Sequence, residues 1–92
     1  YWVYAAGEDP KEWFDKHPGR FTYCHVKDYI SLQNGNFESC TLGKGIIDFP
    51  SILSHGKTRG LTTLIVEQEA YTGTSQLESA KDNFLYMSSI DI

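Results

Sequence analysis

Two short runs hold the residues with chemistry in them. Residues 21–28 read FTYCHVKD and residues 62–69 read TTLIVEQE. Each is rich in β-branched or aromatic residues, and each ends in polar groups. In an extended strand side chains alternate between faces, so Phe21, Tyr23, His25 and Lys27 are expected on one side and Thr22, Cys24 and Val26 on the other. The same alternation groups Thr63, Ile65, Glu67 and Glu69, with Leu64 and Val66 opposite. An imidazole and a carboxylate at the carboxyl ends of two strands, neighbours in a parallel sheet, stand where α/β folds place reacting groups. A neutral imidazole is a common ligand for divalent metals, and a carboxylate can bind the same ion or move a proton.

Each of these residues also has a plainer reading. His25 alone is equally a core histidine with a satisfied hydrogen bond, and Glu67 a solvated strand end. Lys27 is either a cation for a ligand's hydroxyl, carboxylate or phosphate, or a solvated lysine. Glu69, further out than Glu67, reads first as a rim charge. Asp28 and Gln68 are expected on the opposite faces from their neighbours. His17 and His55 fall at a helix end and inside a helix, so the three histidines form no cluster.

The elements that must position these groups follow from local signals. YWVYAA, residues 1–6, reads as the end of a strand, broken by Gly7. Asp9-Pro10-Lys11-Glu12 is a helix start, with Asp9 as cap and Pro10 at the first helical position. That helix stops before Pro18-Gly19, and a strand over 21–27 follows. Residues 28–45 form a long polar connection in which 30–32 and 37–41 pair as a hairpin around Asn34-Gly35. Gly43-Lys44-Gly45 lacks the GxxxxGK[ST] spacing of a phosphate loop and more simply shapes the approach to a helix. Asp48 caps that helix, which runs to about Arg59 and ends at Gly60. A strand over 61–68 comes next. Ser75-x-x-Glu78 is a capping box opening a last helix with Ala80, Phe84 and Met87 on one spacing.

Strands alternating with helices predict an α/β fold with parallel strands and right-handed crossovers. The chain reads as one partial domain over 1–92. Two strands and the stub of a third leave open edges through which the chain is expected to self-associate.

The 92 residues carry 8 basic and 12 acidic side chains, for a net charge of −4. No basic stripe appears, so nucleic-acid binding is not expected. No apolar run approaches the roughly 20 residues that span a bilayer. Cys24 and Cys40 match no CxxC pattern and read as free thiols, a disulfide being the lesser alternative. The compartment stays open: cytoplasmic or, were a signal peptide removed, periplasmic.

The order AAGEDPKEWFDKHPGRF, HVKD, LGKGIIDFPSIL, IVEQE and LESAKDN resembles the carboxyl-terminal part of the sugar phosphate isomerase/epimerase family, the xylose-isomerase-like TIM barrels. The resemblance spans essentially the whole chain. It implies the C-terminal part of a (β/α)8 barrel: the end of strand six, then strands seven and eight with their helices. It further implies a divalent metal (Mn, Mg, Co or Zn) held by an Asp, a His and two acidic residues. His25 and Glu67 would be two of those ligands, with the others upstream of Tyr1. Glu67 would also act in proton transfer, and Lys27, Trp2 and Glu69 would meet a small sugar or sugar derivative. The implied activity is a metal-dependent sugar isomerase/epimerase, with this chain incomplete and inactive alone. The alternatives are a lyase or dehydratase of a keto-sugar or keto-inositol on the same scaffold, or a non-catalytic binding module that self-associates.

Overall fold

The computed structural model describes all residues from Tyr1 to Ile92. Its elements in order are helices α1 (Trp2–Ala5) and α2 (Pro10–Lys16), strands β1 (Tyr23–Val26), β2 (Asp28–Ser31) and β3 (Phe37–Cys40), helix α3 (Phe49–Lys57), strand β4 (Thr63–Val66) and helix α4 (Gln76–Ser89). β1 and β4 form a two-stranded parallel sheet, and β2 and β3 a separate two-stranded one. This is the expected mixed α/β architecture, and its barrel is not closed. No helix is long and apolar enough to cross a membrane.

The chain divides into two units. The first takes Tyr1–Val26, Asp48–Ile65 and Asp91–Ile92. It begins with a correction: residues 1–6 are a helical turn, not the end of a strand. An extended segment with no partner leaves its N–H and C=O groups outside any ladder. The turn closes them on itself, Ala5 N–H to the Tyr1 carbonyl at 2.7 Å and Glu8 N–H to the Val3 carbonyl at 3.1 Å. α2 starts as its residues dictate: the Asp9 carboxylate accepts from Lys11 N–H at 2.9 Å, with Pro10 in the first turn. α3 is capped by Asp48, which accepts from Ser51 N–H. Phe14, Val26, Phe49, Leu53 and Leu61 are this unit's buried apolar residues. Gly56 lets Phe14 and Leu61 close against α3, since a Cβ there would overlap the Phe14 ring and a Leu61 methyl. Gly60 adopts φ +102° beside Gly19, a left-handed conformation that ends the α3 segment and leads into β4.

The second unit takes Lys27–Ile47 and Val66–Ile90. Its hairpin pairs Asp28 with Cys40, Tyr29 with Ser39, Ile30 with Glu38 and Ser31 with Phe37. The turn is the expected one: Gly35 takes φ +82°, and the Asn34 side chain accepts from Asn36 N–H at 3.0 Å. α4 is capped by Ser75, which accepts from Glu78 N–H at 3.2 Å. The helix buries its polar side, Ser79 and Asn83, and leaves Leu77, Phe84 and Leu85 exposed.

Candidate functional site

In the first unit, His25 is the third residue of β1 and is exposed, as is Tyr23 two residues before it. Cys24 is half-buried and Val26 fully buried, so the expected alternation holds within this strand. Burial pushes the Cys24 thiol up. Trp2 is exposed at the start of α1, its ring edge-on to Tyr1 at 4.6 Å.

Lys27 departs from the alternation. β1 ends at Val26 and β2 begins at Asp28, so Lys27 sits at a break between strands and is buried like Asp28 and Tyr29 after it. Val26 to Tyr29 are four successive buried residues, which a strand with one buried and one exposed face does not give. The Lys27 ammonium is 1% exposed and lies 2.8 Å from the Glu69 carboxylate, which is 60% exposed. Glu67, the residue after β4, is half-buried.

Asp28 is the residue that sequence reasoning underrated. It is wholly buried, and its carboxylate accepts four backbone N–H groups. Oδ1 takes Tyr29 at 2.9 Å and Ile47 at 3.2 Å. Oδ2 takes Gly43 and Gly45, each at 3.0 Å. Alternate amides of the 43–47 segment therefore turn toward one internal anion, as in backbone nests that bind external ones. A Cβ at Gly45 would overlap Asp28 and the Tyr29 carbonyl. The two glycine amides of the Gly43-Lys44-Gly45 loop are thus committed to Asp28, and the Lys44 amide donates to the Thr41 carbonyl at 3.0 Å.

A second polar network fixes the segment after β4. The Ser39 hydroxyl accepts from the Glu69 and Ala70 amides, each at 2.9 Å. The Gln68 side chain donates to the Ala70 carbonyl at 2.9 Å and accepts from Asn83 Nδ2 at 3.0 Å. Asn83 in turn accepts from Leu42 N–H at 2.8 Å. A Tyr71 hydroxyl bond to the Gln68 carbonyl at 2.8 Å closes the turn. The only signal for this network was two poor helix formers, Ser79 and Asn83, inside an otherwise helical run. Cys40, on β3, is a free thiol pushed up to about 11 by burial and by the nearby Asp28 and Glu38 charges.

An imidazole nitrogen and a carboxylate oxygen are donors of the kind that divalent first-row ions take. The chain places no three His, Cys, Asp or Glu together as a metal-holding group. His25 and Glu67 each carry a donor of that kind.

No family model matches the chain, and no curated protein matches it in sequence. In structure it is similar to a sugar phosphate isomerase/epimerase from Parabacteroides distasonis, with a TM-score of 0.76 and 27% sequence identity. That likeness covers 97% of this chain and 28% of the other, so the chain spans little more than a quarter of its neighbour's length.

Proposed function

We propose that this chain is part of a divalent-metal-dependent sugar isomerase/epimerase of the TIM-barrel type, and that the activity needs barrel strands which this chain does not supply. The observation that carries this is topological: β1 and β4 are parallel neighbours, with His25 near the carboxyl end of one and Glu67 directly after the other. Carboxyl ends of parallel strands are where barrels keep their reacting residues. The structural likeness to an isomerase/epimerase supports the same assignment.

On this reading His25 and Glu67 are ligands of the ion. When bound, a divalent ion polarises a sugar oxygen and so acidifies the adjacent C–H. The Glu67 carboxylate takes that proton and returns it to the neighbouring carbon, interconverting ketose and aldose. Exchange between faces needs a second carboxylate, which the rest of the barrel would provide. Lys27, with Glu69 against it, is the polar contact for substrate, and the exposed Trp2 ring is a surface for a sugar to stack on. A lyase or dehydratase of a keto-sugar begins with the same proton abstraction and differs in what leaves next.

Thermal unfolding of the chain with and without Mn²⁺ tests the metal reading. Mn²⁺ is expected to raise the midpoint, and His25→Ala and Glu67→Ala are each expected to abolish the rise. Stability that ignores both Mn²⁺ and His25→Ala would favour a non-catalytic, self-associating module instead.

A further inference from the structure

We propose that Gln68 is a positioning residue for Glu67: its side-chain amide locks the backbone directly after Glu67 and so fixes where that carboxylate can go. This rests on the reading of Glu67 as the group that binds the ion and carries the proton, and it adds what holds that group in place.

β4 ends at Val66, and residues 67–70 belong to no strand or helix. A carboxylate at the start of such a segment swings with its backbone unless other groups satisfy the backbone's N–H and C=O. Here side chains do so. The Ser39 hydroxyl accepts from the Glu69 and Ala70 amides, each at 2.9 Å. The Tyr71 hydroxyl donates to the Gln68 carbonyl at 2.8 Å, and Gln68 Nε2 donates to the Ala70 carbonyl at 2.9 Å. Gln68 is therefore held through both its side chain and its carbonyl. Its own amide nitrogen is fixed with them, which leaves one backbone rotation between Gln68 and the Cα of Glu67.

The orientation of the two amide side chains is fixed as well. A backbone N–H only donates, so the Leu42 amide, 2.8 Å away, holds the oxygen of Asn83 toward itself. The Asn83 NH₂ then faces Gln68 Oε1, at 3.0 Å. Gln68 in turn directs its NH₂ to the Ala70 carbonyl, which only accepts, and to Ser79 Oγ at 3.3 Å. Neither amide can flip without setting like against like. Asn83 and Ser79 are buried, which keeps water from replacing these bonds. A proton carrier gains from this rigidity, since misplacing a reacting group by about 1 Å costs on the order of 100-fold in rate.

The test follows the Glu67 amide of the metal-free chain by nitrogen relaxation, with Mn²⁺ affinity measured alongside. The wild-type order parameter at Glu67 is expected at about 0.85. Gln68→Met, close in size but without the hydrogen bonds, is expected to bring it below about 0.6. Mn²⁺ binding is expected to weaken about tenfold, as when a group that orients a metal ligand is lost. Gln68→Glu supplies a rescue. Ionised, the new carboxyl sets an acceptor against the Ala70 carbonyl, and Glu67 loosens. As pH falls through the glutamate range, about 4.3, its O–H donates to that carbonyl and order at Glu67 returns. That rescue decides alone if Gln68→Met does not fold. A glutamine that only adds stability would shift the unfolding midpoint and leave Glu67 ordered in the folded chain. Wild-type order at Glu67 in Gln68→Met, or in ionised Gln68→Glu, therefore overturns the proposal, and so does undiminished Mn²⁺ binding by a loosened Glu67. If the wild type itself binds no Mn²⁺, the metal reading falls, and order at Glu67 still decides the role of Gln68.

Discussion

At the scale of single residues, Asp28 is what shapes the 43–47 loop. A carboxylate offers only acceptors, and all four of its contacts here are N–H donors. Asp28→Asn is close in size yet turns an NH₂ toward two of those donors. The cost combines unsatisfied buried amides with donor–donor opposition, about 2–4 kcal/mol. It is expected as a lower urea midpoint together with faster hydrogen exchange at Gly43, Gly45 and Ile47. Unchanged exchange at those three amides would show that the loop holds its shape without the carboxylate. Reading Asp28 from sequence was not possible because three of its four partners lie 15 to 19 residues away and all are backbone groups, which leave no trace in residue identity. His25, by contrast, was legible as a strand residue on the face of Tyr23, since alternation is a local rule and β1 obeys it.

At the scale of elements, helix α2 is tied to α3 by a charged clasp. Asp15 Oδ1 accepts from His55 Nε2 at 2.8 Å and from Arg59 Nε at 2.9 Å. The His55 hydrogen bond is the main reason the Asp15 carboxyl titrates below its ordinary value; partial desolvation opposes it, and the His55 and Arg59 charges reinforce it. A carboxyl lowered on folding adds stability above its unfolded value of 3.8 and loses it as pH falls through the lower folded value. Wild type is therefore expected to exceed Asp15→Asn in urea midpoint near pH 5, with the gap closing as pH falls below the unfolded value of 3.8. A gap that stays constant down to the acid end would rule out this linkage. The caps of α2, α3 and α4 were all readable, because Asp9, Asp48 and Ser75 act on amides two or three residues away. Residues 1–6 were misread because aromatic and β-branched composition signals a strand only where a partner strand satisfies its backbone.

At the scale of the whole molecule, the chain carries two separate two-stranded sheets. Parallel sheets are stable when covered on both faces, and short ribbons are marginal alone. Ile65 and Val66 on β4 and Leu77, Phe84 and Leu85 on α4 are all exposed. The chain is expected to associate, with an unfolding midpoint that rises with protein concentration and sedimentation heavier than a monomer. A monomer unfolding cooperatively at a concentration-independent midpoint would contradict this.

The amino-acid sequence by itself determined the element order from α2 onward, three helix starts, the Asn34-Gly35 hairpin and the parallel α/β class, because each follows from contacts within a few residues or from a repeating period. It also placed His25 and Glu67 at strand ends. Only the tertiary structure decided that Lys27 is buried against Glu69, that Ser39 pins the segment after β4, and that α4 turns its serine and asparagine inward. Those outcomes depend on which distant backbone amides and carbonyls need partners, and a buried polar group takes its place from that need rather than from its neighbours in the chain.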